Sequence, residues 1–145
     1  MRPAPSFATT YDARRERSTN PIGSATATVS LQVVRPDRLQ PGVSLLPGQA
    51  LVSANARYRL LYQNDGNLVL YDDVDRSAPW ATGTGGTAGY AIMQLDGNFV
   101  VYDGQGAARF TSNTAGNANA FLAVQNDGNV VVYRADGQPL WHRLQ

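Results

Sequence analysis

Five side chains recur in this chain three times with the same spacing and could together hold a polar ligand. Each copy places Gln, Asp, Asn, Val and Tyr at every second position around an Asp-Gly turn. The copies are Gln63, Asp65, Asn67, Val69 and Tyr71; Gln94, Asp96, Asn98, Val100 and Tyr102; and Gln125, Asp127, Asn129, Val131 and Tyr133. A carboxylate only accepts hydrogen bonds, whereas an amide both donates and accepts and a phenol can do either. Such a set suits a partner with several neighbouring hydroxyl groups.

The valine of each copy adds a small apolar surface to this polar set. Hydroxyl groups beside a C–H surface are the chemistry of a sugar, so the set predicts carbohydrate binding. The alternative is that Asp-Gly-Asn is only a turn, since these residues favour turns for conformational reasons. A turn, however, requires neither a Gln two residues before the Asp nor a Tyr six residues after it. Three complete copies therefore favour a binding function.

The pattern of apolar residues predicts that each copy lies on a β-hairpin. A three-residue loop, Asn64-Asp65-Gly66, sorts polar and apolar residues onto opposite faces, and its glycine suits the left-handed position of a turn with a bulge. The outer face then pairs Gln63 with Asn67, Leu61 with Val69 and Arg59 with Tyr71. The inner face pairs Tyr62 with Leu68, Leu60 with Leu70, Met93 with Phe99 and Val124 with Val130. The sequence therefore predicts three equivalent hairpins with a common core.

A repeated unit of this size predicts copies that share one core. The copies start at residues 63, 94 and 125, and each is followed by an aromatic residue: Trp80, Phe110 or Trp141. No segment shows a helical period, and Val, Thr, Tyr and Gly are frequent. The predicted class is all-β with internal pseudo-three-fold symmetry.

Composition argues against several other functions. The 145 residues carry a formal net charge of +1, no cysteine and one histidine, His142. No metal site, cofactor, nucleic-acid partner or membrane span is expected, because the required clusters of charged or apolar residues are missing. An enzyme is also not expected, since His142 has no evident base or nucleophile beside it and is better interpreted as a surface or packing residue.

The chain divides into an expected N-terminal arm, residues 1–42, and a domain with the three repeats, residues 43–145. Within the arm, residues 1–22 have a disordered composition, and residues 24–34 alternate as a candidate extra strand. No apolar core of a secretory signal peptide is apparent. The cellular location is therefore not predicted, although action outside the cell is compatible with the sequence.

The three copies resemble the motif Q-x-D-x-N-x-V-x-Y of the monocot mannose-binding lectins, the bulb-type or snowdrop-type family. The segments LLPGQAL and W-A-T-G-T are also similar. The resemblance implies a β-prism II fold, in which three antiparallel four-stranded sheets surround a pseudo-three-fold axis with Trp80 and Trp141 near it. It also implies that Asp and Asn hold the axial 2-hydroxyl of mannose. Gln and Tyr would then take the 3- and 4-hydroxyls, and Val would contact the ring carbons.

The chain departs from the family pattern in four respects. Gly66 and Gly89 stand about where the plant lectins have an intrachain disulfide, so stability must rest on packing. Phe110 replaces an expected third tryptophan as a core substitution. The chain ends shortly after Trp141, whereas family dimers often exchange a longer C-terminal strand, and residues 1–42 have no counterpart. One hypothesis is that the strand at 24–34 replaces the missing C-terminal strand, because proteins tend to cover a sheet edge.

The predicted function is multivalent, non-catalytic recognition of mannose-type glycans through three sites, in a homodimer or a larger homo-oligomer. Two alternatives remain open. One is a lectin-like bacteriocin that binds surface polysaccharide, including D-rhamnose, which shares the axial 2-hydroxyl. The other is a scaffold or assembly protein that uses the same fold.

Overall fold

The described part of the chain consists of β-strands joined by short turns. A computed structural model describes residues 36–144, in which there are twelve strands and no helix. The strands are β1 Arg38–Leu39, β2 Ser44–Leu45, β3 Ala50–Val52, β4 Tyr58–Tyr62, β5 Leu68–Asp72, β6 Ser77–Ala81, β7 Ala88–Met93, β8 Phe99–Asp103, β9 Ala108–Thr111, β10 Phe121–Val124, β11 Val130–Tyr133 and β12 Pro139–His142. No helix long and apolar enough to cross a membrane occurs in this part of the chain.

The strands form three antiparallel sheets of four strands each. The strand orders are β3-β4-β5-β6, β2-β7-β8-β9 and β1-β10-β11-β12. In each sheet, three strands come from one repeat, and the fourth is a short edge strand contributed by the segment 38–52. This arrangement confirms the predicted all-β class with three four-stranded sheets.

The compact unit begins at Pro36, so it includes strand β1 from the segment that was expected to belong to the arm. In the third sheet, Arg38 and Leu39 of β1 pair with Ala123 and Leu122 of β10. The fourth strand of that sheet thus comes from the described residues. The disordered segment predicted at 1–22 and the candidate strand at 24–34 lie outside the described residues.

The hairpin register agrees with the sequence prediction. Leu61 pairs with Val69, and Tyr62 pairs with Leu68 across β4 and β5. The equivalent inner pairs, Met93 with Phe99 and Val124 with Val130, are also present. The Gly66 N–H donates to the Gln63 carbonyl oxygen at 3.0 Å, and Gly66 has a φ of +90°. The three-residue loop with a left-handed glycine is therefore confirmed.

The inner faces of the three hairpins form one apolar core, to which Leu60, Tyr62, Phe99 and Leu122 contribute fully buried side chains. Three aromatic residues pack against this core and against one another. The ring centroids are 5.8 Å apart for Trp80 and Trp141, 6.0 Å for Trp80 and Phe110, and 5.7 Å for Phe110 and Trp141. Phe110 therefore occupies the third place in a cluster to which each repeat contributes one ring.

The two glycines at the expected cysteine positions are in close contact with backbone. A Cβ atom on Gly89 would lie 2.3 Å from the Asp103 carbonyl oxygen, and one on Gly66 would lie 2.9 Å from the Thr87 carbonyl oxygen. Neither position accommodates a side chain without a shift of the backbone. A disulfide cannot form in this chain, which has no cysteine.

Candidate functional site

The aspartate of each copy is held by its own turn. Asp65 Oδ1 accepts the backbone N–H of Asn67 at 2.9 Å, and the same bond recurs at 2.9 Å in the second and third hairpins. The three aspartates are exposed. Their Oδ2 atoms have no hydrogen-bond partner within residues 36–144, so each carboxylate presents one free acceptor in a fixed orientation.

The glutamine and tyrosine of each copy form a second recurring pair. Gln94 Nε2 donates to the Tyr102 hydroxyl oxygen at 2.5 Å. The same bond joins Gln63 to Tyr71 and Gln125 to Tyr133. Because this bond uses the amide nitrogen as donor, Gln Oε1 remains available as an acceptor and the tyrosine O–H as a donor.

The asparagine side chain is anchored through its oxygen. Asn67 Oδ1 accepts from Gly83 N at 3.0 Å and from Thr84 N at 3.2 Å. Asn98 Oδ1 accepts from Thr111 Oγ1 at 2.8 Å, and Asn129 Oδ1 accepts from Leu144 N at 3.3 Å. The amide nitrogens have no partner among the described residues. Each asparagine therefore offers a donor beside the free oxygen of the aspartate.

The valines are buried more deeply than the sequence suggests. Val69, Val100 and Val131 are only 5%, 3% and 2% exposed, although they lie outside the main core cluster. Alternate residues of a strand share one face, so each valine lies on the side of its hairpin that carries Gln, Asn and Tyr. The apolar surface that each valine can offer to a ligand is consequently small.

The three sites differ at the position opposite the motif tyrosine, which the sequence prediction considered only in the first hairpin, as Arg59. The residue paired with the motif tyrosine is Arg59 in the first site, Tyr90 in the second and Phe121 in the third. The Arg59 guanidinium lies 4.8 Å from the Tyr71 ring centroid, whereas Tyr90 and Phe121 pack their own rings on Tyr102 and Tyr133 at 5.2 and 5.6 Å. The signal was available, since each of these residues stands four positions before the motif glutamine.

The third site opens into a cleft of about 380 Å³. Gln125 and Tyr133 of the motif line it, together with Phe121, Ala123 and Arg38 of the edge strand β1. In the first and second sites, the larger Leu61 and Ile92 stand at the position of Ala123, opposite the motif valine. Sequence reasoning missed Arg38 because its pairing with β10 spans most of the domain.

Hydroxyl groups support the first two loops, and an arginine supports the third. Thr84 Oγ1 donates to the Gly66 carbonyl oxygen at 2.7 Å, and Thr114 Oγ1 donates to the Gly97 carbonyl oxygen at 2.6 Å. In the third repeat, Arg143 Nε donates to the Gly128 carbonyl oxygen at 2.8 Å. The neighbouring His142 is half-buried and pairs with Val131.

An ion pair stands beside the first site. Arg59 bonds both oxygens of Asp73 at 3.0 Å, and this hydrogen bonding lowers the pKa of the Asp73 carboxyl group. Within residues 36–144, no three His, Asp or Glu side chains lie close enough together to hold a metal ion.

Solved structures of lectins share this architecture. A lectin from Gastrodia elata, from a study of monomeric monocot mannose-binding lectins, is 41% identical over 73% of this chain and 94% of its own, with a TM-score of 0.64. The mannose-specific agglutinin of snowdrop (Galanthus nivalis), solved with methyl-α-D-mannoside, is 38% identical over 72% and 93%, with a TM-score of 0.60. A Marasmius oreades lectin is 34% identical over 74% and 90%, with a TM-score of 0.69.

No protein-family model and no curated protein matches the sequence. Two of the solved lectins are nevertheless 41% and 38% identical to this chain over 73% and 72% of its length, which is the similarity of related proteins. The three sheets have the arrangement of their β-prism II fold. The chain therefore belongs to the monocot mannose-binding, bulb-type lectin family. Lectins are carbohydrate-binding proteins without a catalytic step, which fits the hydrogen-bonding character of the site.

Proposed function

We propose that the chain recognises mannose-type glycans through its three hairpin sites and acts by multivalent binding. The observation that carries this proposal is the recurrence of the same uncommitted groups in each site. After the internal bonds are formed, each site retains the Asp Oδ2 and Gln Oε1 acceptors and the Asn Nδ2 and Tyr O–H donors. Acceptors and donors thus alternate in each site, and each can pair with one of the adjacent hydroxyl groups of a pyranose.

The roles assigned to the residues follow from these groups. Asp65 and Asn67 offer one acceptor and one donor side by side, which suits the axial 2-hydroxyl of mannose. Gln63 and Tyr71 take the 3- and 4-hydroxyls, and Val69 supports the ring from below. The structure of the snowdrop agglutinin with methyl-α-D-mannoside and that of the Polygonatum cyrtonema lectin with monomannoside support the choice of sugar. D-rhamnose shares the axial 2-hydroxyl and is a second candidate ligand.

Affinity for one sugar should be low, because shallow exposed sites exclude little water. A Kd of about 1 mM corresponds to about −4 kcal/mol. Three sites on one chain raise the avidity for a dense glycan surface by about 10²–10⁴. A homodimer or a larger homo-oligomer would add further sites, and sedimentation of the full chain measures its size.

The direct test is a titration of the full chain with methyl α-mannoside, with methyl α-galactoside as control. Backbone amide shifts of Asn67, Asn98 and Asn129 in NMR spectra report the three sites separately. Binding of the mannoside alone, at about three per chain, is expected. Silence with both sugars and with methyl α-D-rhamnoside would reject the proposal and favour the scaffold alternative.

A single substitution tests the role of the aspartate. Asp96→Asn preserves the oxygen that accepts the Asn98 N–H but replaces the free acceptor with a donor. The affinity of the second site alone should decrease by about 5- to 100-fold, because a hydroxyl group of the sugar loses its hydrogen-bond partner. Asp136→Asn, which lies outside the three motif copies and breaks the pair with Arg134, is the matched control and should leave all three sites unchanged. Equal affinity of the Asp96→Asn second site would contradict the assigned role.

A further inference from the structure

A row of side chains crosses the third sheet on the face that carries the motif residues. Arg38 of β1 pairs with Ala123 of β10, and Ala123 pairs with the motif residue Val131. Directly paired residues of an antiparallel sheet lie on the same face, so Arg38 stands on the face of the third site. The equivalent rows are Ala50, Leu61 and Val69 in the first sheet and Ser44, Ile92 and Val100 in the second. Only the row of the third sheet contains a charged residue.

The cleft of the third site leads from the motif to this arginine. Gln125 and Tyr133 line it at one end, and Arg38 lines it at the other. Asp127 and Asn129, the other polar residues of the third motif copy, do not line it. The cleft therefore extends from the Gln and Tyr side of the site toward β1.

The guanidinium group of Arg38 is held by an aromatic ring and has free donors. It lies 4.9 Å from the ring centroid of Phe121, and the Phe121 ring stacks on Tyr133 at 5.6 Å. Within residues 36–144, its one hydrogen bond runs from Nε to Asp37 Oδ1 at 3.5 Å, which is long for such a bond. The two terminal nitrogens of Arg38 thus have no partner in the described part of the chain.

The orientation proposed for the sugar turns its C6 toward the cleft. Gln125 and Tyr133 are the residues assigned to the 3- and 4-hydroxyls, so the edge of the ring that carries C3 and C4 faces the cleft. C5, which bears C6, is bonded to C4, whereas C1 lies across the ring from C4. A substituent on C6 therefore extends past Tyr133 toward Arg38, and a substituent on C1 points away from it.

We propose that the third site is specific for mannosides phosphorylated at C6, with Arg38 as the residue that binds the phosphate. This inference rests on the proposed function, because the motif residues must first hold the sugar. A guanidinium group can bind a phosphate through two parallel hydrogen bonds. Strand β10 separates Arg38 on β1 from Tyr133 on β11. A phosphate ester spans this distance better than a carboxylate, because its oxygens lie two bonds further from C6.

The other two sites have no equivalent donor. Ala50 and Ser44 stand at the positions that correspond to Arg38. Arg59 lies beside the first site, but its Nε and Nη2 atoms bond both oxygens of Asp73 at 3.0 Å. The charge of Arg59 is therefore already compensated, and a phosphate should gain little at the first or second site.

Methyl α-mannoside and its 6-phosphate test this proposal, because they differ only in the phosphate. Amide shifts of Asn129 report the third site, and those of Asn67 and Asn98 report the other two. The 6-phosphate should bind the third site about three- to tenfold more tightly than the parent sugar, the range of an exposed ion pair with two charge-assisted hydrogen bonds. The gain should decrease as sodium chloride rises from about 0.05 to 0.5 M, because salt screens exposed charges.

Two further ligands test the position of the phosphate and the need for mannose. α-Mannose 1-phosphate carries its phosphate on the opposite side of the ring and should show no gain at the third site. Methyl α-glucoside 6-phosphate has an equatorial 2-hydroxyl and should bind more weakly than the mannoside 6-phosphate. The Nε resonance of Arg38 should shift with the mannoside 6-phosphate and not with methyl α-mannoside.

Variants of the cleft separate Arg38 from a general effect of charge. Arg38→Gln should reduce the ratio of phosphate to parent affinity toward one, and Arg38→Lys should retain part of the gain. Asp37→Asn removes a negative charge from the lining of the cleft and should increase the ratio. Arg134→Gln is the matched control, because Arg134 belongs to the same repeat and is similarly exposed but does not line the cleft. It should leave the ratio unchanged.

The outcomes distinguish this inference from the proposed function. Equal affinity of the parent sugar and its 6-phosphate at the third site, or an equal gain at all three sites, overturns the inference and leaves mannose recognition intact. An equal gain with the 1-phosphate, equal binding of the glucoside 6-phosphate or an unchanged ratio in Arg38→Gln also overturns it. Failure of methyl α-mannoside to bind at any site refutes mannose recognition itself, and the inference then falls with it.

Discussion

Substitution of Thr84 by valine isolates the hydrogen bond that supports the loop of the first proposed site. Thr84 is 3% exposed, and its Oγ1 donates to the Gly66 carbonyl oxygen at 2.7 Å. Valine has nearly the same shape but no hydroxyl group. Within the described residues, the Gly66 carbonyl oxygen then has no other partner, whereas Thr82 Oγ1, 2.9 Å from Thr84 Oγ1, retains Asn67 Oδ1 as an alternative.

The expected cost is that of one unsatisfied buried acceptor. Leaving such a group without a partner lowers the free energy of unfolding by about 1–3 kcal/mol. For a domain of this size, each kcal/mol lowers the Tm by about 4 °C, so a decrease of about 4–12 °C is expected. The first proposed site should lose more affinity for the mannoside than the second, because Gly66 is adjacent to Asp65, whereas Thr114 still supports Gly97.

Urea unfolding followed by tryptophan fluorescence measures the stability, and amide shifts of Asn67 report the site. Thr84→Ser is the control, because it retains the hydroxyl group and should lose at most about half as much stability as the valine variant. If Thr84→Val is within about 0.5 kcal/mol of the unmodified chain, the hydrogen bond does not stabilise the loop. If Thr84→Ser is destabilised equally, the missing methyl group rather than the hydroxyl is responsible.

Three further predictions concern packing, loop geometry and acid stability. Trp80→Ala removes a ring from the aromatic cluster and should lower the free energy of unfolding by about 3 kcal/mol, measured in urea; a loss below about 1 kcal/mol would show that the cluster is not part of the core. Gly97→Ala should lower the free energy of unfolding by about 1–3 kcal/mol more than Gly106→Ala. Both glycines have positive φ, but only a Cβ at residue 97 lies 2.2 Å from a carbonyl oxygen. Equal losses of stability in the two variants would contradict the clash. The hydrogen bond from Arg57 lowers the pKa of Asp72 to about 2. The stability that the ionised Asp72 contributes is therefore fully present above about pH 4, the pKa of this group in the unfolded chain, and is lost as the pH falls toward 2. Urea midpoints between pH 5 and 2 should therefore fall less in Asp72→Asn, and an unchanged slope would contradict this assignment.

The hairpins could be predicted from local sequence because their determinants are local. A three-residue loop pairs polar Gln63 with Asn67 and apolar Tyr62 with Leu68, as the structure shows for the apolar pair. Shortening the loop by one residue would pair Gln63 with Leu68 and mix polar with apolar side chains on each face. The same argument applied to all three repeats, which is why the pairing and the loop glycines are as expected.

The sequence was less informative about groups that reach a site from elsewhere in the chain. The depth of Val69 depends on how closely neighbouring side chains cover it, and an alternating pattern gives only the face. Arg38 reaches the third site through an edge strand distant in sequence, and Arg143 supports the third loop where threonines support the other two. A repeat pattern does not predict the contacts of Arg38 and Arg143, because each of these contacts occurs in one copy only.

By itself, the sequence determined the three hairpins, the outward set of Gln, Asp, Asn and Tyr in each, and the aromatic residue that each repeat contributes to the shared cluster. These features depend on strand parity and turn chemistry within about ten residues. Only the tertiary structure decided that β1, β2 and β3 each complete a different sheet. It also decided that Arg38 of β1 lines the third site and that Arg143 supports the third loop. The reason is physical, since pairing of distant strands follows from the packing of the whole core and not from any one segment.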